Sequence, residues 1–160
     1  MLIELTRGYK AIIDDESYAI IKGHKWSAVT IYRNNGTVIN NYAVTRIGKY
    51  STVRMHRLIT DVAKELVIDH IDGNGLNNCL SNLRICEQYQ NAMNKRPQLN
   101  TASIFKGVNW HKGRKKWIAT IRINKERKYL GGFIAEEDAA KAYDAAALEL
   151  FGEFARPNFK

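Results

Sequence analysis

Cysteine and proline are both scarce in this chain of 160 residues, with two of each. Cys79 and Cys86 are too few for a disulfide framework, and their separation matches no zinc-ligand pair, so both are expected as reduced thiols and no structural zinc is expected. Prolines at Pro97 and Pro157 alone leave helix and strand unbroken elsewhere. Long apolar runs are missing, and the opening MLIELTRGYK has no basic region followed by an apolar core, so neither membrane nor secretion is expected and the location expected is cytoplasmic. Hydrophobic residues make up 45% and charged ones 26%, which excludes disorder beyond linkers and ends. The length suits one ordinary domain or two small ones.

Acidic charge is nearly absent from one segment. Residues 95–133 hold eleven basic side chains and one acidic, against eleven and nine in residues 1–94 and three and six in residues 134–160. The net +9 is therefore focused, and the partner it favours is a polyanion.

Chemistry concentrates in Val67–Lys95, VIDHIDGNGLNNCLSNLRICEQYQNAMNK. Val67 and Ile68 lead an adjacent acid and imidazole, Asp69 and His70, into a turn-forming loop of Asp, Asn and Gly. Leu83 to Cys86 follow as a second strand, and a short helix can start at Glu87. Such a strand, turn, strand and helix bring Asp69, His70, Asn82 and Asn91 within reach of one another. The carboxylate of Asp69 and the amide of Asn91 are hard oxygen donors, suited to Mg²⁺ or Mn²⁺ rather than zinc. Each residue also has a plain explanation: a surface histidine, Asx turns at Asn77, Asn78 and Asn82, a solvated Asn91.

The pattern DHIDGN, NN, SNLR and QNxxNK resembles the HNH nuclease family, in the phage and intron homing branch with Asn at the third signature position. The resemblance implies a ββα-metal motif over 55–95, introduced by a short helix at MHRLI (55–59). It implies His70 as general base, Asp69 and Asn91 as ligands of one Mg²⁺ or Mn²⁺, and Asn82 as the residue that orients His70 and ties the strands. Arg57 or Arg84 would add a phosphate contact. With an ordinary imidazole pKa of ~6.5, cleavage would rise from about pH 6 toward 8.

Residues 1–54 read as a small β-rich section. Strands are expected at Leu2–Leu5, Ala11–Ile13, Trp26–Tyr32, Tyr42–Arg46 and Ser51–Arg54, and a helix from DDES (14–17) to about Lys22. The section either buttresses the motif, with Trp26 and Tyr42 in its core, or lays Arg33, Arg46, Lys49 and Arg54 against DNA. His24 suits the surface, and His56 the neighbourhood of phosphate beside Arg57. Residues 96–102 form the expected linker.

Strands at Phe105–Asn109, Lys116–Ile123 and Lys128–Phe133 and an amphipathic helix over 136–150 give a three-stranded antiparallel sheet packed on one helix over 103–160. The run FKGVNWHKGRKKWIATIRINKERKYLGGF with EEDAAKAYDAAALELFGEFARPNF resembles the AP2 DNA-binding domain. That resemblance implies a sheet entering the major groove, with Lys106, Asn109, His111, Thr120, Arg122, Arg127 and Tyr129 on the reading side; Lys115 is a further backbone contact. Asn109, Thr120 and Tyr129 stand where Arg, Glu and Trp are common in the plant pattern.

The expected class is α+β and the expected activity site-preferring hydrolysis of duplex DNA to 5′-phosphate and 3′-hydroxyl ends, by a monomer or weak homodimer encoded by a phage or mobile element. A non-cleaving DNA-binding regulator and an RNA-binding accessory protein remain open alternatives.

Overall fold

Short apolar stretches separated by Gly, Asn and Asp give many small elements rather than a few long ones. The computed structural model describes residues 1–49, 51–95, 97 and 101–159, in two compact units, Met1–Asn91 and Ala92–Lys160. Of the expected linker, residues 96 and 98–100 lie outside the described residues. The class is mixed α and β with separate small sheets, compatible with α+β. No helix among the described residues is long and apolar enough to cross a membrane.

In the first unit β1 (Leu2–Glu4) and β2 (Lys10–Ile12) pair antiparallel around a 3-10 turn at Thr6–Gly8. A second 3-10 turn, Asp15–Ser17, runs into one turn of helix, α1 (Tyr18–Ile21). The helix expected from residue 14 is thus shorter, because the Asp14 carboxylate does not cap it and instead accepts the Leu80 N–H at 2.6 Å. β3 (Ser27–Tyr32), β4 (Val38–Ile47) and β5 (Ser51–Arg54) form an antiparallel sheet in that order, and α2 (Met55–Thr60) follows at once. β6 (Val67–His70) pairs antiparallel with β7 (Leu83–Cys86), and α3 (Gln88–Met93) comes next.

One core serves the whole unit. Leu5, Ala11, Ile13, Ile21, Trp26, Ala28, Ala43, Met55 and Ile59 are buried together, with Leu76 and Leu83 of the β6–β7 hairpin packed against them. Ile12 sits between two residues of the hairpin loop, its N–H donating to the Leu76 carbonyl at 2.8 Å and its carbonyl accepting from the Asn78 N–H at 2.7 Å. From β4, Asn40 accepts the Gly75 N–H at 3.0 Å and donates to the Gly73 carbonyl at 3.2 Å. Gly75 is needed for space, since a Cβ there would lie 2.5 Å from the Asn41 carbonyl and 2.6 Å from the Tyr42 ring.

In the second unit β8 (Val108–His111), β9 (Lys116–Ile123) and β10 (Glu126–Phe133) make an antiparallel sheet in the order β10-β9-β8. α4 (Glu136–Phe151) packs Ala139, Ala140, Tyr143 and Ala147 against Val108, Ala119 and Ile121, small alanines letting helix and sheet approach. Glu136, Glu137 and Asp138 fill its first turn, where carboxylates favour the helix dipole. β8 starts later than the expected Phe105 because Gly107 takes φ +79, and a Cβ there would lie 2.0 Å from the Tyr143 ring.

Candidate functional site

Pairing within the β6–β7 hairpin sets its two faces. Asp69 stands opposite Arg84 and Val67 opposite Cys86, while Ile68 faces Ile85 and His70 faces Leu83. Side chains alternate along a strand, so the adjacent Asp69 and His70 point to opposite faces of the ribbon.

On the first face, Arg84 donates to Asp69 Oδ2 from Nε at 3.0 Å and from Nη2 at 2.7 Å. The pair is nearly enclosed, with the carboxylate side chain 7% exposed and the guanidinium side chain 11%. The buried Cys86 lies on the same face, within hydrogen-bond reach of the backbone of both Asn91 and Asp69. Burial first, and then the charge of Asp69, push its thiol up, so Cys86 stays a neutral thiol rather than a soft thiolate ligand. The half-buried Asn91 of α3 brings its backbone, and no more than that, to the Cys86 thiol. Arg84 is therefore paired with Asp69 in the DNA-free chain.

On the second face the His70 imidazole is buried. The His56 ring meets it edge-on with centroids 4.8 Å apart, and the Tyr42 ring lies 6.0 Å from each. The Arg54 guanidinium covers Tyr42 at 4.5 Å. Asn78, wholly buried, places Oδ1 3.4 Å from His70 Nε2. Because Asn78 Nδ2 donates to the Leu76 carbonyl at 3.1 Å, the oxygen faces the ring and can only accept. Nε2 then carries the hydrogen, and Nδ1 is the acceptor nitrogen of the neutral ring. Burial lowers the His70 pKa, Arg54 adds to the fall, and Asn78, Asp72 and Asp69 oppose it. The inflection expected for an ordinary imidazole moves down accordingly. His56 is held down to about 3, by burial first and then by His70, Arg54 and Arg57, and is neutral. It packs behind His70 instead of lying exposed beside Arg57.

Asn82 fastens the loop. Its Oδ1 accepts the Asp72 N–H at 3.0 Å, its Nδ2 donates to Asp72 Oδ1 at 3.0 Å and to the Asn77 carbonyl at 2.8 Å, and its carbonyl accepts the Ile71 N–H at 2.9 Å. Burial would raise the Asp72 pKa, but bonds from Asn74, Asn77 and Asn82 hold it below the usual value. The amide set against the imidazole is thus that of Asn78, which sequence reasoning passed over as turn chemistry. Arg57 closes the segment after α2, donating to the carbonyls of Val62, Ala63 and Leu66. The arginine on the His70 side is the exposed Arg54.

In the second unit, cross-strand pairs place Asn109 with Ile118, His111 with Lys116, Thr120 with Tyr129 and Arg122 with Arg127. All six expected strand residues share the sheet face opposite α4, since Ala119 and Ile121 alternate with them and face the helix. Lys115 sits in the turn between β8 and β9 with φ 48. Lys106 does not join them: its ammonium donates to the Met93 carbonyl and lies 5.9 Å from the centre of the Tyr143 ring, and burial lowers its pKa to about 8. Trp110 meets Trp117 edge-on with ring centres 5.1 Å apart.

No family model matches the chain. A protein of Acanthamoeba polyphaga mimivirus named as an uncharacterized HNH endonuclease is 30% identical over 152 residues, which are 95% of this chain and 76% of that one. Protein 3.8 of Escherichia phage T7 is 35% identical over 113 residues, 67% of this chain and 92% of that one. Part of the chain is 47% identical over 62 residues to an AP2-like ethylene-responsive transcription factor of Arabidopsis thaliana, covering 37% of this chain and 12% of the plant protein.

Proposed function

The chain belongs to the HNH endonuclease family, and from that premise we propose that it hydrolyses phosphodiester bonds of duplex DNA with one Mg²⁺ or Mn²⁺ ion, placing the cut through an AP2-like carboxy-terminal sheet. The observation that carries the reading is the two-faced hairpin, with an enclosed carboxylate on one side and a buried imidazole on the other.

The donor chemistry fits a hard cation. Asp69 and Asn91 supply oxygens, and the neighbouring Cys86 thiol is kept protonated. Asp69 and Asn91 would hold the ion, which when bound would offset the charge developing on the phosphate and on the departing 3′ oxygen. His70 Nδ1 takes a proton from water while that water's oxygen forms a bond to phosphorus and the bond to the 3′ oxygen breaks, leaving 5′-phosphate and 3′-hydroxyl ends. Asn78 holds the imidazole in the tautomer this needs, and His56 and Tyr42 hold its plane. Arg54, exposed beside His70, takes a phosphate oxygen. Asn109, His111, Thr120, Arg122, Arg127 and Tyr129 supply the face that meets base edges and backbone, and Lys115 a sequence-independent phosphate contact.

A DNA-binding protein without cleavage is the competing reading, and the closed Asp69–Arg84 pair is the observation in its favour. Incubating the purified chain with phage, host and plasmid DNA in Mg²⁺, Mn²⁺ or EDTA, followed by end mapping, separates them. Metal-dependent breaks that vanish in His70→Ala support the nuclease. DNA binding without breaks under any of these conditions overturns it.

A further inference from the structure

An enclosed carboxylate needs a partner of opposite charge, and here the partner comes from the same hairpin. Asp69 and Arg84 are directly opposed in the β6–β7 ladder, and Nε and Nη2 of the guanidinium each donate to Oδ2. Strand register places them, so no search through surface rotamers is required. We propose that Arg84 is the resident counter-ion of the candidate metal site, balancing the Asp69 carboxylate and holding it in place until a divalent ion binds; this rests on the assignment of Asp69 and Asn91 to the ion.

Three physical consequences follow from the pairing. Without Arg84, the 7% exposed Asp69 side chain would be a charge removed from water with this guanidinium gone, a state that favours local opening. With Arg84 in place, an arriving dication meets a like charge within a few ångströms and has to share the carboxylate, so its affinity for the DNA-free protein is held down. A phosphodiester laid on this face offers the guanidinium planar oxygens of its own, to which Arg84 is suited by its fork of donors. Arg84 can then turn from Asp69 to the phosphate, and DNA and divalent ion strengthen each other's binding; linkage makes that effect reciprocal. The same residue would thus guard the vacant site and grip the substrate in the filled one.

Mn²⁺ binding by the full-length protein tests this without reference to cleavage, using electron paramagnetic resonance of free Mn²⁺ together with thermal unfolding in EDTA and in Mn²⁺. Arg84→Met keeps most of the stem volume and removes the charge. It is expected to bind Mn²⁺ roughly 10-fold or more tightly than wild type, to melt lower than wild type in EDTA, and to recover that difference when Mn²⁺ is added. Arg84→Lys keeps the charge and should stay close to wild type in both readouts. Arg84→Met that binds Mn²⁺ no more tightly than wild type, while Asp69→Asn loses binding, overturns the counter-ion role and leaves the metal site standing. Equal Mn²⁺ binding by wild type and Asp69→Asn overturns the metal assignment, and the counter-ion role with it.

Discussion

His70 is held by neighbours that the sequence places far apart: Asn78 at one ring nitrogen, His56 edge-on, and Tyr42 with Arg54 beyond. Asn78→Ala removes the acceptor that selects the tautomer, so nicking should fall by roughly 10-fold or more with DNA binding kept, against about 10²-fold for His70→Ala. Asn78→Asp should instead move the inflection of a single-turnover pH profile upward, because a carboxylate favours the imidazolium. A tautomer role for Asn78 is sunk if Asn78→Ala cuts at the wild-type rate. His56 supplies a stability prediction. Its folded pKa of about 3 lies below the ordinary imidazole value of 6.5, so the unfolded chain binds the proton that the folded one refuses. Stability is therefore complete above pH ~6.5 and drains as pH falls toward ~3, by an order of a few kcal/mol from this group. Denaturant unfolding of wild type and His56→Phe across that window checks it, and the variant should show the shallower decline. Asp69, His70, Asn82 and Asn91 were singled out by a family resemblance, and the structure sets Asp69 and His70 on opposite faces of β6 and gives Asn82 to the loop. Asn78 was not singled out, since a buried acceptor and an exposed Asx turn look alike in one dimension. Arg54, Arg57 and Arg84 were equally opaque: a guanidinium's role depends on which carbonyl, carboxylate or ring it lies against.

The hairpin loop between β6 and β7 is an element fixed mainly from outside itself. Asn40 binds its backbone on both sides of Asn74, and Gly75 allows β4 to come that close. Gly75→Ala forces the Asn41 carbonyl and the Tyr42 ring to give way, with an expected cost of about 1–3 kcal/mol and a fall in nicking as His70 loses its surroundings. Gly23→Ala is the comparison, with nothing within 4 Å of the added carbon. Chemical denaturation of both variants decides the point, and equal stability would mean that the close approach is dispensable. Strands and helices were legible where periodicity was strong: β9 runs Lys116–Ile123 as alternation predicts, and α4 ends against Gly152. Boundaries missed elsewhere trace to single local causes, the positive φ of Gly107 before β8 and the diversion of Asp14 to Leu80 before α1. What periodicity could not show was which sheet floors the loop, because that depends on contacts between residues some 35 to 66 positions apart.

At the scale of the whole molecule, charge and chemistry lie in different units. Residues 95–133 carry a net +10, so binding of the full chain to duplex DNA should weaken steeply with salt, whereas a chain ending at Pro97 should show a much shallower slope and still nick at low salt. Gel shifts over a salt series check both, and equal affinity of the two chains would sink the division of labour. The first unit has its own core, which is why nicking is expected to outlast the truncation. The clamp of Ile12 between Leu76 and Asn78 also has a bearing on biosynthesis. The ribosome delivers the floor strand first and the loop that rests on it some 66 residues later, a delay of several seconds at roughly 5–20 residues per second. A nascent chain therefore meets its β6–β7 loop with the docking edge already made. A circular permutant that starts at residue 51 and returns residues 1–50 at its far end would reverse that order, exposing the Asn-rich loop until the end of translation, and its soluble yield should fall even where the finished fold is the same.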